Sequence, residues 1–582
     1  MTRDLTAFLH DLKKTKTTQD ANSLIKSVSN IDNLLTSLED KEEFIDYIEK
    51  MQKPAKKNLE HKAKEWGDVQ TPEKLVDKVY QILADSNFDP SVIIEPTSGT
   101  GSFILHATKV FRNLKLIYGV EIQKHYIWCS AAKIVSQALN QEEQGKHRYE
   151  IRLIHDDIFT HEFDQDILNS DDSTILVIGN PPWVTISELS SLNSNNLPLK
   201  SNIKGFKGID ALTGKSNFDI TETIIVKLIK LFSRNKGKIA ILCKNTVVRN
   251  ILKETIKSNL KISNIRALNF KAKEYFGKIC NASLFIADFT PNKNDTFCSI
   301  SDLEEPSKII KKFGWFENHF VSNIEKYKQQ SQLEGQFPIN WRQGIKHDCA
   351  TILELQLAND GKLLNKNNEV LEVEEDLVYP LLKGSALRKL HAQDISKRLI
   401  LTQTKLSEDT NKIKEMYPKT WQYLMKNKKT FSRRKSRVFQ KKPDFAIFGV
   451  GDYVLSPYKV AIAGFYKKPI FTFVTPYNEK PVLFDDTCYY LSFQNYNEAL
   501  FTCSVLNSEI LNDFLESIVF IDSKRPFTKE VLMRINLAHL VKNTTFATIK
   551  EIWKSNSFSP EVEVTENDYR KFQDNLKPKQ LN

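Results

Sequence analysis

Cysteine is sparse and scattered, with seven residues at 129, 243, 280, 298, 349, 488 and 503 and no CxxC pair among them. That spacing argues against a zinc cluster or a disulfide framework and predicts buried, reduced thiols; no metal is expected. No apolar run approaches the ~18 residues of a membrane span. The first residues, MTRDLTAFLHDLKKTKTTQD, lack the apolar centre of a secretion signal, so a cytoplasmic location without membrane contact is expected. No repeat, low-complexity tract or heptad pattern stands out. An excess of one charge sign is also nearly missing: 83 Lys and Arg against 72 Asp and Glu leave a net +11. Such a surplus matters for anionic partners only where it is concentrated.

What is present is a long chain of ordinary globular composition. Its 582 residues exceed what one hydrophobic core organises, so two to four domains are expected. Residues 1–62 are polar with helical apolar spacing, as in Ala21–Ile31 and Phe44–Met51, and predict a helical N-terminal cap. From about residue 70, short apolar runs alternate with helical stretches. The runs are Val92–Ile94, Leu116–Ile122, Tyr149–Ile154, Thr174–Gly179, Lys238–Cys243, Ile265–Phe270 and Ser283–Phe289. Helical segments such as Phe103–Arg112 and Tyr126–Leu139 lie between the early ones. This alternation predicts an α/β fold with a seven-stranded, doubly wound, Rossmann-like sheet. The last two runs are close enough to form an antiparallel hairpin at its edge. A polar stretch, Ser187 to Asn217, interrupts the pattern, and loops of that length are usually functional or disordered. Beyond about 325 the pattern is mixed. The expected division is a cap over 1–62, a catalytic domain over 63–320, and a separate mixed α+β domain over 321–582.

Three strand ends carry ligand-binding features. Ser91-Val-Ile-Ile-Glu-Pro-Thr-Ser-Gly-Thr-Gly-Ser-Phe103 runs from strand through a glycine turn into a helix. Gly99 and Gly101 permit backbone angles and close ligand approach that other residues resist. The pattern is GxG, not GxGxxG, and alone is also compatible with an ordinary strand–helix turn. The second run ends in Glu121, 20 residues after Gly101, where a carboxylate can take both hydroxyls of a ribose. The third ends at His155-Asp-Asp-Ile-Phe159, where one of two adjacent carboxylates can accept from a nucleobase amine. The fourth, Thr174-Ile-Leu-Val-Ile-Gly-Asn-Pro-Pro-Trp183, stops abruptly at two prolines that fix φ and cannot join a ladder. There the Asn180 side chain and a proline carbonyl can be held rigidly side by side. In isolation NPPW would also serve as a rigid turn, with Trp183 as packing.

Together these residues resemble the N6-adenine class of S-adenosylmethionine-dependent DNA methyltransferases of restriction–modification systems. The order is that of the gamma arrangement: cofactor motifs, catalytic motif, then a C-terminal target recognition domain. The resemblance covers roughly residues 66–290 motif by motif. It implies that Thr71 and Pro72 contact the methionine part of the cofactor, that Glu95, Pro96, Gly99, Gly101 and Phe103 form the first cofactor loop, and that Glu121 and Ile122 hold the ribose side. Ser98 stands where the family has Cys or Ala. Asp157 with Ile158 fits the adenine-binding position, Asp156 being the alternative. Asn180, Pro181, Pro182 and Trp183 match the catalytic motif, with Asn180 also beside the cofactor and Trp in the less common last place. Phe276 matches a second aromatic beside the target base, and Lys215 and Asn217 fall in a segment that follows the catalytic loop, where Lys215 is expected to contact DNA. The chemistry suits these residue types. An adenine amine is a poor nucleophile because its lone pair is delocalised, and two acceptors that bind its hydrogens turn that lone pair toward a methyl donor. An aromatic face supports a base taken out of the stack.

Residues 426–442 hold nine basic residues and no acid, with Phe431 and Phe439 interleaved. Following a methyltransferase-like half, this stretch predicts contact with double-stranded DNA through Arg433, Arg434, Lys435 and Arg437. A monomer associated with the prokaryotic nucleoid is expected, with a cognate restriction endonuclease as genetic partner. Other readings are an RNA adenine or protein glutamine methyltransferase, a bifunctional restriction–modification enzyme, and a non-catalytic relict. A cytosine C5 enzyme would need a Pro-Cys nucleophile, which does not occur.

Overall fold

The computed structural model describes residues 5–51, 70–140, 149–169, 172–184, 219–277, 280–358, 360–392, 395–406, 408–440 and 442–576. The chain divides into two compact units, residues 1–320 and 321–582. Among the described residues, no helix is long and apolar enough to cross a membrane. All seven cysteines are free thiols, and five are buried.

The first unit is built on one sheet. Its strands are β1 (Ile31–Asp32), β2 (Val92–Glu95), β3 (Leu116–Glu121), β4 (Glu150–His155), β5 (Thr174–Gly179), β6 (Lys236–Lys244), β7 (Ile262–Lys271), β8 (Asn281–Phe289), β9 (Phe297–Asp302), β10 (Lys311–Phe316) and β11 (His319–Val321). Their order is β1-β4-β3-β2-β5-β6-β8-β7-β9-β10-β11. Each of the seven apolar runs read from the sequence becomes a strand, and those seven occupy adjacent places. Parallel pairing runs from β1 to β6. β8 then inserts antiparallel between β6 and β7. Every residue of β2 and β3 is buried, as expected where helices cover both faces of a parallel sheet.

The sheet has eleven strands, against the seven expected. The β7–β8 pair is antiparallel but not at the edge, because β9 pairs parallel to β7 and β10 antiparallel to β9. These outer strands bury only two of their six residues each, so they lack the continuous apolar run of the central ones. At the other edge the N-terminal region is not purely helical. The helix Thr18–Ser29 ends at Asn30 in the left-handed region (φ 62°), which turns Ile31 onto β4 opposite Ile151. The helices Leu5–Lys14, Thr18–Ser29 and Leu38–Met51 bury Phe8, Leu12, Ile25, Phe44 and Ile48 in the same core as the sheet. They are also tied by charge to the helix Lys124–Asn140. Lys124 Nζ lies 2.8 Å from both Asp40 and Glu43, and the Trp128 indole N–H donates to Glu43 at 3.3 Å. Burial opposes the charged form of Asp40, but hydrogen bonds from Lys124 and Thr36 outweigh it and hold the carboxyl at about 2.

The second unit contains a four-stranded and a six-stranded sheet. Both are antiparallel apart from one parallel pairing, Val378–Leu382 with Leu483–Phe484. Helices follow from Tyr496 to Asn575. The strand Tyr458–Ala463 buries Lys459, only 1% exposed, whose ammonium donates to the carbonyls of Val454 (2.8 Å) and Val482 (2.7 Å). Burial lowers its pKa from 10.5 to about 7. Between those values the unfolded chain binds a proton that the folded chain does not, so stability rises with pH, by up to about 1.4 kcal/mol per pH unit. Thermal unfolding of the protein should move upward from pH 7 to 8.5, and Lys459→Met should flatten that slope; an unchanged slope in the variant would refute the assignment.

Candidate active site

The strand order reverses between β2 and β5, since β3 lies to one side of β2 and the later strands to the other. In an open α/β sheet such a reversal leaves a crevice beyond the strand C-termini. Here the crevice is a cleft of about 1260 Å³, counting its open mouth. It brings together Thr71, Glu95, Pro96, Gly99, Phe103, Glu121, Ile122, Asp157, Ile158, Asn180, Pro181, Pro182, Trp183 and Phe276. Pro72 and Gly101 do not line it. Pro72 is the N-cap of the helix Glu73–Ala84, and Gly101 is the N-cap of the helix Ser102–Val110, so each shapes the wall from behind.

The glycine turn is held from three sides. Gly99 N donates to Glu121 Oε2 at 2.8 Å, while Glu121 Oε1 accepts from Gln123 N at 2.9 Å, which bolts the turn to the end of β3. Gln70 Oε1 accepts from the Thr100 hydroxyl (2.8 Å) and amide (3.2 Å). From the helix Lys124–Asn140, Ser130 Oγ donates to the Gly99 carbonyl and Lys133 Nζ to that of Thr100. Gly101 has φ +78°, and a Cβ there would lie 2.6 Å from Ser130 Oγ, so only glycine fits without displacement. Beneath the turn, Glu95 is 3% exposed. Burial pushes its carboxyl well above the usual range, and the neighbouring Glu121 adds to this against one backbone hydrogen bond at Ile104.

After β4 the two adjacent aspartates diverge in role. Asp156 accepts from Asp157 N (2.8 Å) and pairs with His161 Nδ1 (2.8 Å), while His161 Nε2 meets Tyr118 Oη at 3.1 Å. The Asp157 carboxylate accepts from Phe159 N at 3.0 Å through Oδ1. Both aspartates line the cleft, Asp156 within a network that runs to Tyr118 and Asp157 within its own turn.

The Asn180–Trp183 segment is fixed at each member. Asn180 Nδ2 donates to Thr71 Oγ1 at 3.1 Å, so the amide nitrogen faces Thr71 and its carbonyl side is turned the other way. Thr221 Oγ donates to the Pro182 carbonyl at 2.9 Å. The Trp183 indole N–H donates to Leu242 O at 3.2 Å, and its ring meets Phe276 edge-on, centroids 5.2 Å apart at 80°. Supporting residues such as Ser130, Lys133 and Thr221 carry no motif of their own. In the sequence they read as ordinary polar helix or loop positions.

Of the residues expected on DNA, Lys215 lies outside the described residues, as does Asn217 beside it. Arg433 and Lys435 are exposed. Arg434 is turned inward. Its guanidinium lies 3.9 Å from the Phe439 ring centroid and donates to the carbonyls of Ala446 (2.6 Å), Phe431 and His347. The side chain of Arg437 is outside the described set. Phe431 and Phe439 are buried core residues, not an exposed stacking surface. Two lysines of the stretch have acidic partners nearby in space, Lys428 with Asp444 (2.6 Å) and Lys426 with Glu369 (3.8 Å).

The family model described as N-6 DNA Methylase matches residues 55–268. The type II methyltransferase M.NspV of Nostoc sp. (strain ATCC 29411 / PCC 7524) is 38% identical over 488 residues, 83% of this chain and 99% of that protein. The type II methyltransferase M.CvrRI of Paramecium bursaria Chlorella virus XZ-6E is 33% identical over 115 residues, 20% of this chain and 24% of that one. A solved structure of the type IIL restriction-modification enzyme MmeI in complex with DNA aligns with 98% of this chain and 80% of that chain, at 11% identity and TM-score 0.48. With a relative 38% identical along 83% of this chain and 99% of its own length, and a family match over residues 55–268, the chain belongs to the N-6 DNA methylase family of type II methyltransferases.

Proposed function

We propose that the protein is an adenine-specific DNA methyltransferase (EC 2.1.1.72). It moves a methyl group from S-adenosylmethionine to the N6 amine of an adenine rotated out of the duplex, acts as a monomer, and protects its sites from a cognate endonuclease. One observation carries the reading: the Asn180–Trp183 hook and the strand-end acids Glu95, Glu121 and Asp157 line a single cleft. The donor set there suits the cofactor. Glu95 Oε2 and the Thr97 and Ser98 hydroxyls are buried with no hydrogen-bond partner among the described residues. The ammonium and carboxylate of an amino-acid cofactor are the polar complements of such atoms. Thr71, Glu95 and the 97–101 turn would hold its methionine end, Glu121 its ribose, and Asp157 with Ile158 its adenine.

S-adenosylmethionine supplies a methyl group on a positively charged sulfur, so the protein's task is alignment more than proton abstraction. The Asn180 side-chain oxygen and the Pro181 carbonyl accept the two hydrogens of the target amine and turn its lone pair toward the donor. Thr71 keeps the Asn180 amide from rotating, and Thr221 engages the next carbonyl, that of Pro182. Trp183 and Phe276 form a right-angled aromatic corner that packs the extruded base. The second unit, residues 321–582, serves as the target recognition domain, with exposed Arg433 and Lys435 on phosphates.

Incubating the chain with duplex DNA and cofactor, then quantifying N6-methyladenine by mass spectrometry of the digested nucleosides, tests the assignment. Modified cytosine, or no modified base, would refute it. Asn180→Ala should lower the rate by about a hundredfold or more. Gly101→Ala should weaken binding of S-adenosylhomocysteine about tenfold by titration calorimetry, because it forces a side chain into a left-handed position against Ser130. The double variant Arg433→Gln, Lys435→Gln should reduce the slope of log affinity for DNA against log salt by about 1–2. Arg434→Gln should instead lower the unfolding temperature and leave that slope unchanged.

A further inference from the structure

The helix Ile220–Phe232 follows the catalytic hook in sequence and is joined to it at both of its first residues. Ile220 N donates to the Val184 carbonyl at 3.0 Å, and Thr221 Oγ donates to that of Pro182. Two turns further on, Lys227 leaves the same helix for the other end of the cleft. Its ammonium donates to three carbonyl oxygens, those of Ile158 (2.7 Å), Phe159 (3.1 Å) and His161 (2.8 Å). An ammonium has three donors, and these contacts use all of them. The three carbonyls belong to the turn that carries Asp157 and Ile158 into the cleft.

We propose that Lys227 is a positioning residue for the adenine end of the cofactor. By gathering three carbonyls of the 158–161 turn onto one point, it sets where the Asp157 carboxylate and the Ile158 side chain stand. The inference rests on the reading of this cleft as the cofactor site. Three features set Lys227 apart from an ordinary surface lysine. Its partners are backbone carbonyls, not a carboxylate, so the contact defines main-chain geometry. His161 pairs with Asp156 within the turn and reaches Tyr118 on β3, whereas Lys227 ties the turn to the helix after β5. And the helix that delivers Lys227 is the one that braces Pro182, so the seat for the cofactor's adenine and the grip on the target amine share a single rigid support. Lys227 does not reach the reacting atoms, and its effect should appear in cofactor affinity, not in the chemical step.

The test uses the full chain. Lys227→Met keeps the apolar stem and removes the three donors; Lys230→Met removes the same charge from an exposed position of the same helix. Titration calorimetry with S-adenosylhomocysteine and steady-state methylation of duplex DNA are measured alongside unfolding of the ligand-free chains. The expected result is a dissociation constant and cofactor KM raised about tenfold in Lys227→Met, with kcat at saturating cofactor within about twofold of the parent. Lys230→Met should match the parent. Unchanged affinity in Lys227→Met overturns the proposal. So does a joint fall in kcat, affinity and unfolding temperature, which would mark a merely structural contact. Lys227→Arg, which keeps donors toward the carbonyls, should recover part of the affinity if Lys227→Met fails to fold, and no recovery overturns the proposal. Failure of the parent chain to bind S-adenosylhomocysteine would instead refute the cofactor reading of the cleft.

Discussion

The reversal of strand order between β2 and β5 is the constraint on which the site depends. Helices cannot cover the crevice opened there, so the chain must line it with loops that satisfy their own backbone groups. Each loop does so by borrowing from its neighbour. The glycine turn after β2 donates to the carboxylate that ends β3, the turn after β4 gives its carbonyls to a lysine from the helix after β5, and the hook after β5 leans on Thr71 ahead of β2. No loop is organised alone. The active cleft is a ring of mutual hydrogen bonds closed over a sheet whose own strands are buried on both faces.

That closure explains the division of labour among similar residues. Asp156 and Asp157 are adjacent, chemically identical and both on the cleft wall, yet one pairs with His161 and the other accepts from the Phe159 amide. Glu95 and Glu121 are both buried acids at strand ends, but Glu121 accepts two backbone N–H groups while burial keeps the Glu95 carboxyl high. Position within the fold, not residue type, decides which hydrogen bonds each carboxylate makes.

Much of this was legible before any coordinates. Runs such as Val92–Ile94 and Thr174–Gly179 are continuous because both faces of the strand are buried, and that leaves an unmistakable mark. The motifs at their ends identify the cleft for the same reason, since only a few residue types can do the work there. What stayed hidden lacks a periodic or chemical signature. Ile31–Asp32 is too short to show alternation, and β9 to β11 mix polar and apolar residues because they are half exposed. Arg434 cannot be told from Arg433 or Lys435 by sequence, because whether a guanidinium meets solvent or three carbonyls depends on the fold around it. Nor does anything in the sequence mark Lys227, whose three carbonyl partners are brought to it by the fold.

The N-terminal helices acquire a meaning from the pair of carboxylates that grips Lys124. That lysine opens the helix whose next turns place Ser130 and Lys133 against the glycine turn. A load applied at Asp40 and Glu43 therefore passes through one helix to the peptide groups at Gly99 and Thr100. Residues 5–51 are thus less an appendage resting on the first unit than part of the path that fixes the glycine turn at Gly99 and Thr100.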